Sequence, residues 1–283
     1  MVQEAIKKAD VLIEALPYIK EFHKKVFVIK YGGSILGEER VRQSVLEDIA
    51  FLRYSGIRPI IVHGGGPNIT QRLQGHKVSS EFVEGMRVTD EFTLKVVEEE
   101  LDKLNDLIID EINSHGEIGV GLKDEKVVLV AAKRRAKKDL GFVGEVIDFD
   151  REKIEGTLKI AIPVITPMGV SSGGVTYNIN ADEVAFFLAS ELKAEKLILL
   201  TDVLGVMRDS KNEDSLISTI KAKEADELIK NKVIGEGMVP KVRAAVNAID
   251  KGVGKAHIID AKIPHAILLE IFTNEGIGTE IVK

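Results

Sequence analysis

Val26-Phe27-Val28-Ile29-Lys30-Tyr31-Gly32-Gly33-Ser34 decides how the rest of the chain is read. Its four leading apolar residues form an unbroken run, which suits a strand buried on both faces of a parallel sheet. The run ends in a cation, Lys30, and two glycines, Gly32 and Gly33, where amides can approach an anion because no Cβ intrudes. Taken alone, this is equally a turn after a strand with Lys30 solvated. A second edge of the same kind decides between the two. Residues 58–63, Arg-Pro-Ile-Ile-Val-His, run straight into Gly64, Gly65, Gly66 and Pro67. Each glycine costs backbone entropy, roughly 1 kcal/mol against alanine in ordered structure. A linker would tolerate that, but a linker does not follow a Val/Ile strand directly and open a periodic helix. Open α/β sheets take ligands at the carboxyl ends of their strands, so the two edges imply one site for an anionic ligand.

Upstream, residues 3–23 carry Ala5, Ile6, Ala9, Leu12, Ile13, Leu16, Ile19 and Phe22 at helical spacing. Pro17 is expected to kink this helix or restart it after Leu16. Because it precedes the first strand, the helix must bury its stripe on its own lobe or on another subunit. Downstream, helices are expected over 38–55, 68–73, 90–113, 178–192, 222–231, 235–251 and 264–272. Thr89 or Asp90 caps the long third one. Strands are expected over 127–131, 160–165, 196–200, 257–260 and 279–282. Residues 77–90 read as irregular, 116–121 as a turn, 140–146 as half of a β-ribbon and 169–174 as a glycine/serine loop. This alternation predicts an α/β fold: a three-layer αβα sandwich around a mostly parallel central sheet, with an extra kinked N-terminal helix. Its lobes are expected to be halves of one continuous sheet, divided near residue 175.

The 283 residues suffice for one large α/β unit or two lobes. A net charge of −6 argues against a nucleic-acid surface, and the basic run 133–138 is local. No apolar run has membrane length and the N-terminus is charged and periodic, so no membrane partner and a cytoplasmic location are expected. The absence of cysteine excludes disulfides and Cys-ligated zinc.

Neither a Walker A pattern nor a dinucleotide-binding fingerprint occurs, so a phosphate must be cradled differently. The candidates are Lys30 with Gly32 and Gly33, the glycines 64–66, and Lys241 at a helix start behind Gly235 and Gly237. Asn178 and Asp182 sit one turn apart at another helix start and can face one point. Two lysines, glycine amides and a carboxylate to hold the lysines would supply the positioning and charge neutralisation of phosphoryl transfer. His63 closes a buried strand and reads as structural; His76 and His115, in polar loops, receive no role.

A set of motifs occurs in order: Val28-Ile29-Lys30-Tyr31-Gly32-Gly33, Val62-His63-Gly64-Gly65-Gly66-Pro67, Gly85-Met86-Arg87-Val88-Thr89 and Asp139-Leu140-Gly141-Phe142-Val143-Gly144. Tyr177-Asn178-Ile179-Asn180-Ala181-Asp182, Thr201-Asp202-Val203 and Gly237-Met238-Val239-Pro240-Lys241 follow. Together they resemble the N-acetyl-L-glutamate kinases of the amino acid kinase family. The resemblance implies that fold, and transfer of the γ-phosphoryl of ATP to the side-chain carboxylate of N-acetylglutamate. It implies that Lys30 and Lys241 stabilise the transferring group, that Asp182 orients both, and that Gly32, Gly33 and Gly65 donate amides. Gly64, Gly65, Arg87 and Asn178 would hold the acetylglutamate, with Arg87 forking its α-carboxylate. Asp202, Val203, Leu204, Gly205, Val233, Gly235, Gly237 and Met238 would line the nucleotide. No protein-held metal or cofactor is implied; Mg²⁺ would ride on the ATP phosphates. The acceptor carboxylate is already a nucleophile, so no general base is needed.

The chain ends resemble the arginine-sensitive, hexameric members. Residues 1–24 would be an oligomerisation helix, 25–175 the acetylglutamate lobe and 176–283 the ATP lobe. An inhibitory L-arginine would bind among Tyr18, His257, Glu270 and Gly276, in a hexamer built as a trimer of dimers. Ala261-Lys262 departs from the usual Gly-Arg there, and Ser171-Ser172-Gly173-Gly174 replaces an Asp-Gly-rich turn. The competing readings are a kinase for N-acetyl-aminoadipate or a carrier-linked amino acid of lysine synthesis, and a non-catalytic arginine-sensing subunit.

Overall fold

A computed structural model of the chain describes residues 2–116, 118–123, 127–209, 212–235 and 237–283. Helix α1 (Val2–Phe22) runs through Pro17 as one helix instead of restarting after Leu16. Proline deletes one intrahelical bond, and because Pro17 is exposed the orphaned carbonyl is left to water. β1 (Val26–Tyr31), α2 (Gly33–Leu36), α3 (Glu39–Tyr54), β2 (Arg58–His63) and α4 (Gly66–Gly75) follow. Next come β3 (Phe82–Val83), β4 (Met86–Arg87), α5 (Glu91–Asn113) and β5 (Gly119–Leu122). The middle of the chain forms β6 (Leu129–Lys133), β7 (Gly144–Phe149), α6 (Arg151–Ile160), β8 (Ile162–Ile165), β9 (Met168–Val170) and β10 (Thr176–Asn178). α7 (Ala181–Glu191), β11 (Lys196–Thr201), β12 (Thr219–Lys221) and α8 (Ala222–Lys230) come next. The chain closes with α9 (Val239–Asp250), β13 (Lys255–Asp260), α10 (Ala266–Phe272) and β14 (Thr279–Val282).

The main sheet has the order β12-β14-β13-β11-β1-β2-β8-β5, parallel throughout except between β13 and β14. β1 is central. The chain leaves it for β2 on one side and, after β10, enters β11 on the other through α7, which puts a topological switch point at its carboxyl end. Phe27, Val28 and Ile29 are fully buried, but into different cores. Val28 packs with the core under α7 and α9, while Phe27, Ile29 and Tyr31 pack with the core under α3, α5 and α10. Alternation along the strand therefore sends Lys30, two residues after Val28, towards α7 and α9.

Several expectations change. Residues 116–121, read as a turn, include edge strand β5 and also Glu117, which lies outside the described residues. The glycines there answer to packing: a Cβ on Gly119 would sit 2.4 Å from Ile112, and one on Gly121 2.5 Å from Asn105. Residues 77–90 contain the hairpin β3–β4, whose connecting residues Glu84 and Gly85 both have positive φ, 50° and 79°. That geometry matches a two-residue primed turn. The 169–174 loop begins inside β9, which pairs antiparallel with β10 in a second sheet ordered β10-β9-β6-β7. Helix α6 had no counterpart in the sequence reading. Asp90, not Thr89, caps α5, accepting from Thr93 N–H. Among the described residues no helix is long and apolar enough to cross a membrane.

Candidate active site

At the carboxyl end of β1, Lys30 meets the first turn of α7. Its Nζ lies 2.8 Å from Asp182 Oδ1, an ion pair outside hydrogen-bonding geometry. Lys241, in the first turn of α9, hydrogen-bonds the other oxygen, Oδ2, at 3.0 Å. The N-cap of α7 is Asn180, whose side chain accepts from the Asp182 and Glu183 N–H groups and so fixes the turn carrying the carboxylate. Burial works to raise the Asp182 pKa, but Lys30 and Lys241 together outweigh it and hold the group below the ordinary carboxylate range.

The two glycine edges pack backbone on backbone. A Cβ on Gly33 would lie 2.9 Å from the nitrogens of Gly65 and Gly66, with no flexible side chain to give way. One on Gly32 would press on Leu200 O at 3.2 Å. Above them lies a cavity of about 310 Å³, lined among others by Lys30, Gly33, Gly64, Gly65, Arg87, Asn178 and Asp182.

Hairpin β3–β4 brings Arg87 to this cavity with its side chain largely buried. The guanidinium donates to Gly66 O at 2.9 Å, to Thr70 Oγ1 at 2.8 Å and to Ser80 Oγ, and it stacks over Phe82. These partners are all neutral, so they position the charge without cancelling it. Asn178 donates to Thr89 Oγ1 at 3.2 Å. Thr89 bridges in turn to the 139–144 segment, where Phe142 N–H donates to Thr89 O at 2.7 Å. A Cβ on Gly141, whose φ is +69°, would lie 2.2 Å from Thr89 O. That close approach explains why this glycine sits within the motif.

The cavity thus unites Lys30, Gly33, Gly64, Gly65, Arg87, Asn178 and Asp182 among the residues picked out by sequence. Among the described residues its walls do not include Gly32, Lys241, 202–205 or 233–238. Asp202, Val203, Leu204 and Gly205 follow β11, while Val233, Gly235, Gly237 and Met238 lead into α9 just before Lys241. Sequence reasoning missed Thr70 and Ser80, which aim Arg87 from separate elements and carry no local signal. Asn180 did carry one, as an Asn directly before a helix.

A second cavity, of about 720 Å³, opens where α1 meets α10. Glu270 is buried rather than exposed on its helix. Its Oε1 lies 2.6 Å from His257 Nδ1, and its Oε2 accepts from Ile277 N–H at 2.7 Å and Gly278 N–H at 3.0 Å. Gly276, at φ +64°, passes so close that a Cβ would lie 2.8 Å from Oε2. Burial works to raise the Glu270 pKa, but His257 and the two amides outweigh it. Burial also holds His257 below the ordinary histidine value. Lys196 Nζ is 3.1 Å from His257 Nε2 and lies over the Phe22 ring, and burial lowers its pKa to about 8. Tyr18, on α1, reaches across to Asn274.

Comparison with known proteins agrees with this geometry. The amino acid kinase family model matches residues 25–260. Acetylglutamate kinase of Aquifex aeolicus (strain VF5) is 50% identical over 296 residues, covering 98% of this chain and 98% of its own. Among solved structures, N-acetylglutamate synthase from Neisseria gonorrhoeae complexed with coenzyme A and N-acetyl-glutamate is 26% identical, with a TM-score of 0.88. The match covers 97% of this chain and 63% of the synthase, so the chain spans less than two thirds of that protein. The same synthase complexed with coenzyme A and L-arginine is 25% identical, with a TM-score of 0.84 over 97% of this chain and 65% of its own.

Proposed function

The chain belongs to the amino acid kinase family, among its acetylglutamate kinases, and from that premise we propose how its residues divide the reaction. ATP passes its γ-phosphoryl group to the side-chain carboxylate of N-acetyl-L-glutamate, giving the acyl phosphate N-acetyl-L-glutamyl 5-phosphate of arginine biosynthesis. The observation that carries this reading is Asp182 standing between Lys30, at 2.8 Å, and Lys241, at 3.0 Å. Phosphoryl transfer spreads negative charge over three equatorial oxygens and asks the protein for position and countercharge. Each ammonium carries three N–H donors and each has one drawn towards Asp182, so both retain donors for the transferring group. Gly32, Gly33 and Gly65 supply amides to the same group. The acceptor carboxylate is the nucleophile, so Asp182 acts by orienting the lysines and not as a base.

Arg87, charged and hydrogen-bonded among the described residues to neutral oxygens, binds the acetylglutamate α-carboxylate, with Gly64, Gly65 and Asn178 around the rest of the molecule. Segments 202–205 and 233–238 receive the nucleotide on the Lys241 side, with Mg²⁺ on its phosphates. Residues 25–175 then form the acetylglutamate lobe and 176–283 the ATP lobe.

L-arginine is the inhibitor in this proposal, bound in the cavity of Tyr18, His257, Glu270 and Gly276. That cavity is lined by Glu21, Glu195, Glu270, Glu275 and Glu280 against Lys196 and Lys255, an acidic balance that favours a cation. The synthase that takes up L-arginine supports the same assignment. Helix α1 leaves Ile6, Leu12, Ile13 and Leu16 exposed, a stripe that suits packing between subunits of a cytoplasmic hexamer.

A coupled ADP-release assay over N-acetyl-L-glutamate, glutamate, aspartate and N-acetyl-aminoadipate, with and without L-arginine, tests the reading. N-acetyl-L-glutamate should be turned over fastest and L-arginine should slow it. A preference for N-acetyl-aminoadipate would move the enzyme to lysine synthesis, and no ADP release at all would leave a sensing subunit.

A further inference from the structure

His63 closes β2 with its ring fully buried, and each ring nitrogen faces one polar partner. Its Nδ1 lies 3.3 Å from Gly64 O, and its Nε2 lies 3.1 Å from Nδ2 of Asn105 on α5. The same amide nitrogen is 3.1 Å from Val164 O, at the end of β8, and 3.2 Å from Thr166 Oγ1. A carbonyl only accepts and an amide nitrogen only donates, so Val164 O fixes which end of the Asn105 amide faces the ring. With one of its two hydrogens given to Val164 O, that end has the other to share between Nε2 and Thr166 Oγ1, and an Nε2 facing a donor is the bare nitrogen that accepts. The ring proton therefore sits on Nδ1 and goes to Gly64 O. Burial lowers the His63 pKa to about 4, in keeping with a neutral ring.

The Gly64 carbonyl shares its peptide with the Gly65 N–H, and in a trans peptide these two groups point in opposite directions. Drawing the carbonyl onto His63 turns the Gly65 N–H away from the ring. The Gly65 nitrogen stands on the side of Gly33, within 2.9 Å of where a Gly33 Cβ would be, and both glycines line the cavity beside Lys30. We propose that His63 and Asn105 are positioning residues for phosphoryl transfer: they lock the Gly64–Gly65 peptide plane so that the Gly65 N–H is aimed at the oxygens that gain charge. The inference rests on the kinase reading, since a peptide plane needs aiming only where an anion arrives.

The arrangement is poor as plain core packing. Asn105 Oδ1 is buried without a hydrogen-bond partner among the described residues, an arrangement that costs stability. Room for that oxygen requires a bare Cα at Gly121, where a Cβ would come within 2.5 Å. A histidine kept only to fill space would be served as well by an apolar residue, with no amide choosing its tautomer.

Nitrogen-15 NMR of histidine-labelled wild-type protein at pH 7 reads the tautomer directly, with His63 assigned through its nuclear Overhauser contacts to Asn105. The Nδ1–H form is expected; the Nε2–H form or an imidazolium overturns the proposal, whether or not any variant folds. In kinetics at saturating ATP and N-acetyl-L-glutamate, His63→Leu should lower kcat about ten- to a hundredfold, short of the loss for deleting a donor outright. The KM for ATP should stay within about twofold, because nucleotide binding does not use this peptide. His63→Asn, whose Nδ2–H can stand where Nδ1–H stood, should recover turnover to within about fivefold of wild type. Equal turnover in the two variants, or wild-type turnover in His63→Leu with only a lower melting temperature, overturns it. The failures separate cleanly. A wild type that releases no ADP sinks the function and with it the target of the N–H, whereas an active wild type with an Nε2–H ring sinks only the positioning role.

Discussion

The clusters around Asp182 and Glu270 are both built on a carboxylate held below its ordinary pKa against the pull of burial, and they reach that state by different means. Asp182 is held by two ammonium groups, so its cluster carries a net positive charge and spare donors face outward. Glu270 is held by one imidazole and two backbone N–H groups, with no ammonium paired to either oxygen among the described residues. The cavity beside it stays acidic. The same functional group thus leaves opposite charge around it, positive at the first cluster and negative at the second, which suits the anion and the cation proposed for them. What decides is whether the carboxylate is held by two ammonium groups or by one imidazole and two backbone N–H groups.

The sharpest break of this contrast comes from removing one cation at the first cluster. Lys30→Ala and Lys241→Ala should each lower kcat about a hundredfold to a thousandfold, by analogy with losing one preorganised donor, while the fold persists because both residues sit at element ends. Retention of a tenth or more of wild-type turnover at saturating substrates would remove the assigned role from that lysine. The second cluster should behave otherwise. Glu270→Gln keeps the shape but drops the charge and one of the two acceptor oxygens. It should leave turnover intact and abolish arginine inhibition, a coupling expected at about 5- to 150-fold in apparent affinity. Truncation of residues 1–16, which keeps Tyr18 and Phe22, should give a smaller oligomer by analytical ultracentrifugation; a hexamer after truncation would take α1 out of the assembly.

A smaller effect sharpens the anion side. Arg87→Lys keeps the charge and loses the planar fork, and should raise the KM for N-acetyl-L-glutamate about tenfold, or about 1.4 kcal/mol, with that for ATP unchanged. Equal effects on both substrates would place Arg87 in the scaffold. The remaining test reads stability instead of turnover, as a pH dependence at the second cluster. Burial, followed by Lys255, lowers the Lys196 pKa from 10.5 to about 8 in the fold. The charged amine is therefore worse off folded than unfolded, and below pH 8 that penalty is present in full. As pH rises from about 8 towards 10.5 the folded protein loses this proton first, and stability recovers by about 1.4 kcal/mol per unit at most. Urea denaturation of wild type against Lys196→Met should show the wild type gaining on the variant between these pH values. A constant gap would mean that Lys196 is solvated in solution.

The contrast also separates what was legible before folding from what was not. The strand at 26–31, its lysine and both glycine edges could be read because each is local: an apolar run buried on two faces, then residues without a Cβ. The same holds for α7, whose Asn-before-helix start is a chemical signal within four residues. Strand β5 was misread because its glycines answer to the close approach of α5, which lies outside any window along the chain. Hairpin β3–β4 was missed because Glu84 occupies a positive-φ position where glycine or asparagine is usual.

By itself, the sequence determined the α/β class and the central strand with its lysine and glycine edge, since composition and period act over a few residues at a time; Arg87 entered only through the ordered motifs that the chain shares with a family. Tertiary structure alone decided that each oxygen of Asp182 faces a different lysine, one from β1 and one from α9, and that Arg87 is aimed by Thr70 and Ser80. It also decided that Glu270 is buried against His257 instead of lying in solvent, and that Asn105 and Val164 choose the proton position on His63. Each of these is a contact between elements far apart in the chain. Such contacts are set by how the sheet orders its strands, and no short stretch of sequence encodes that order.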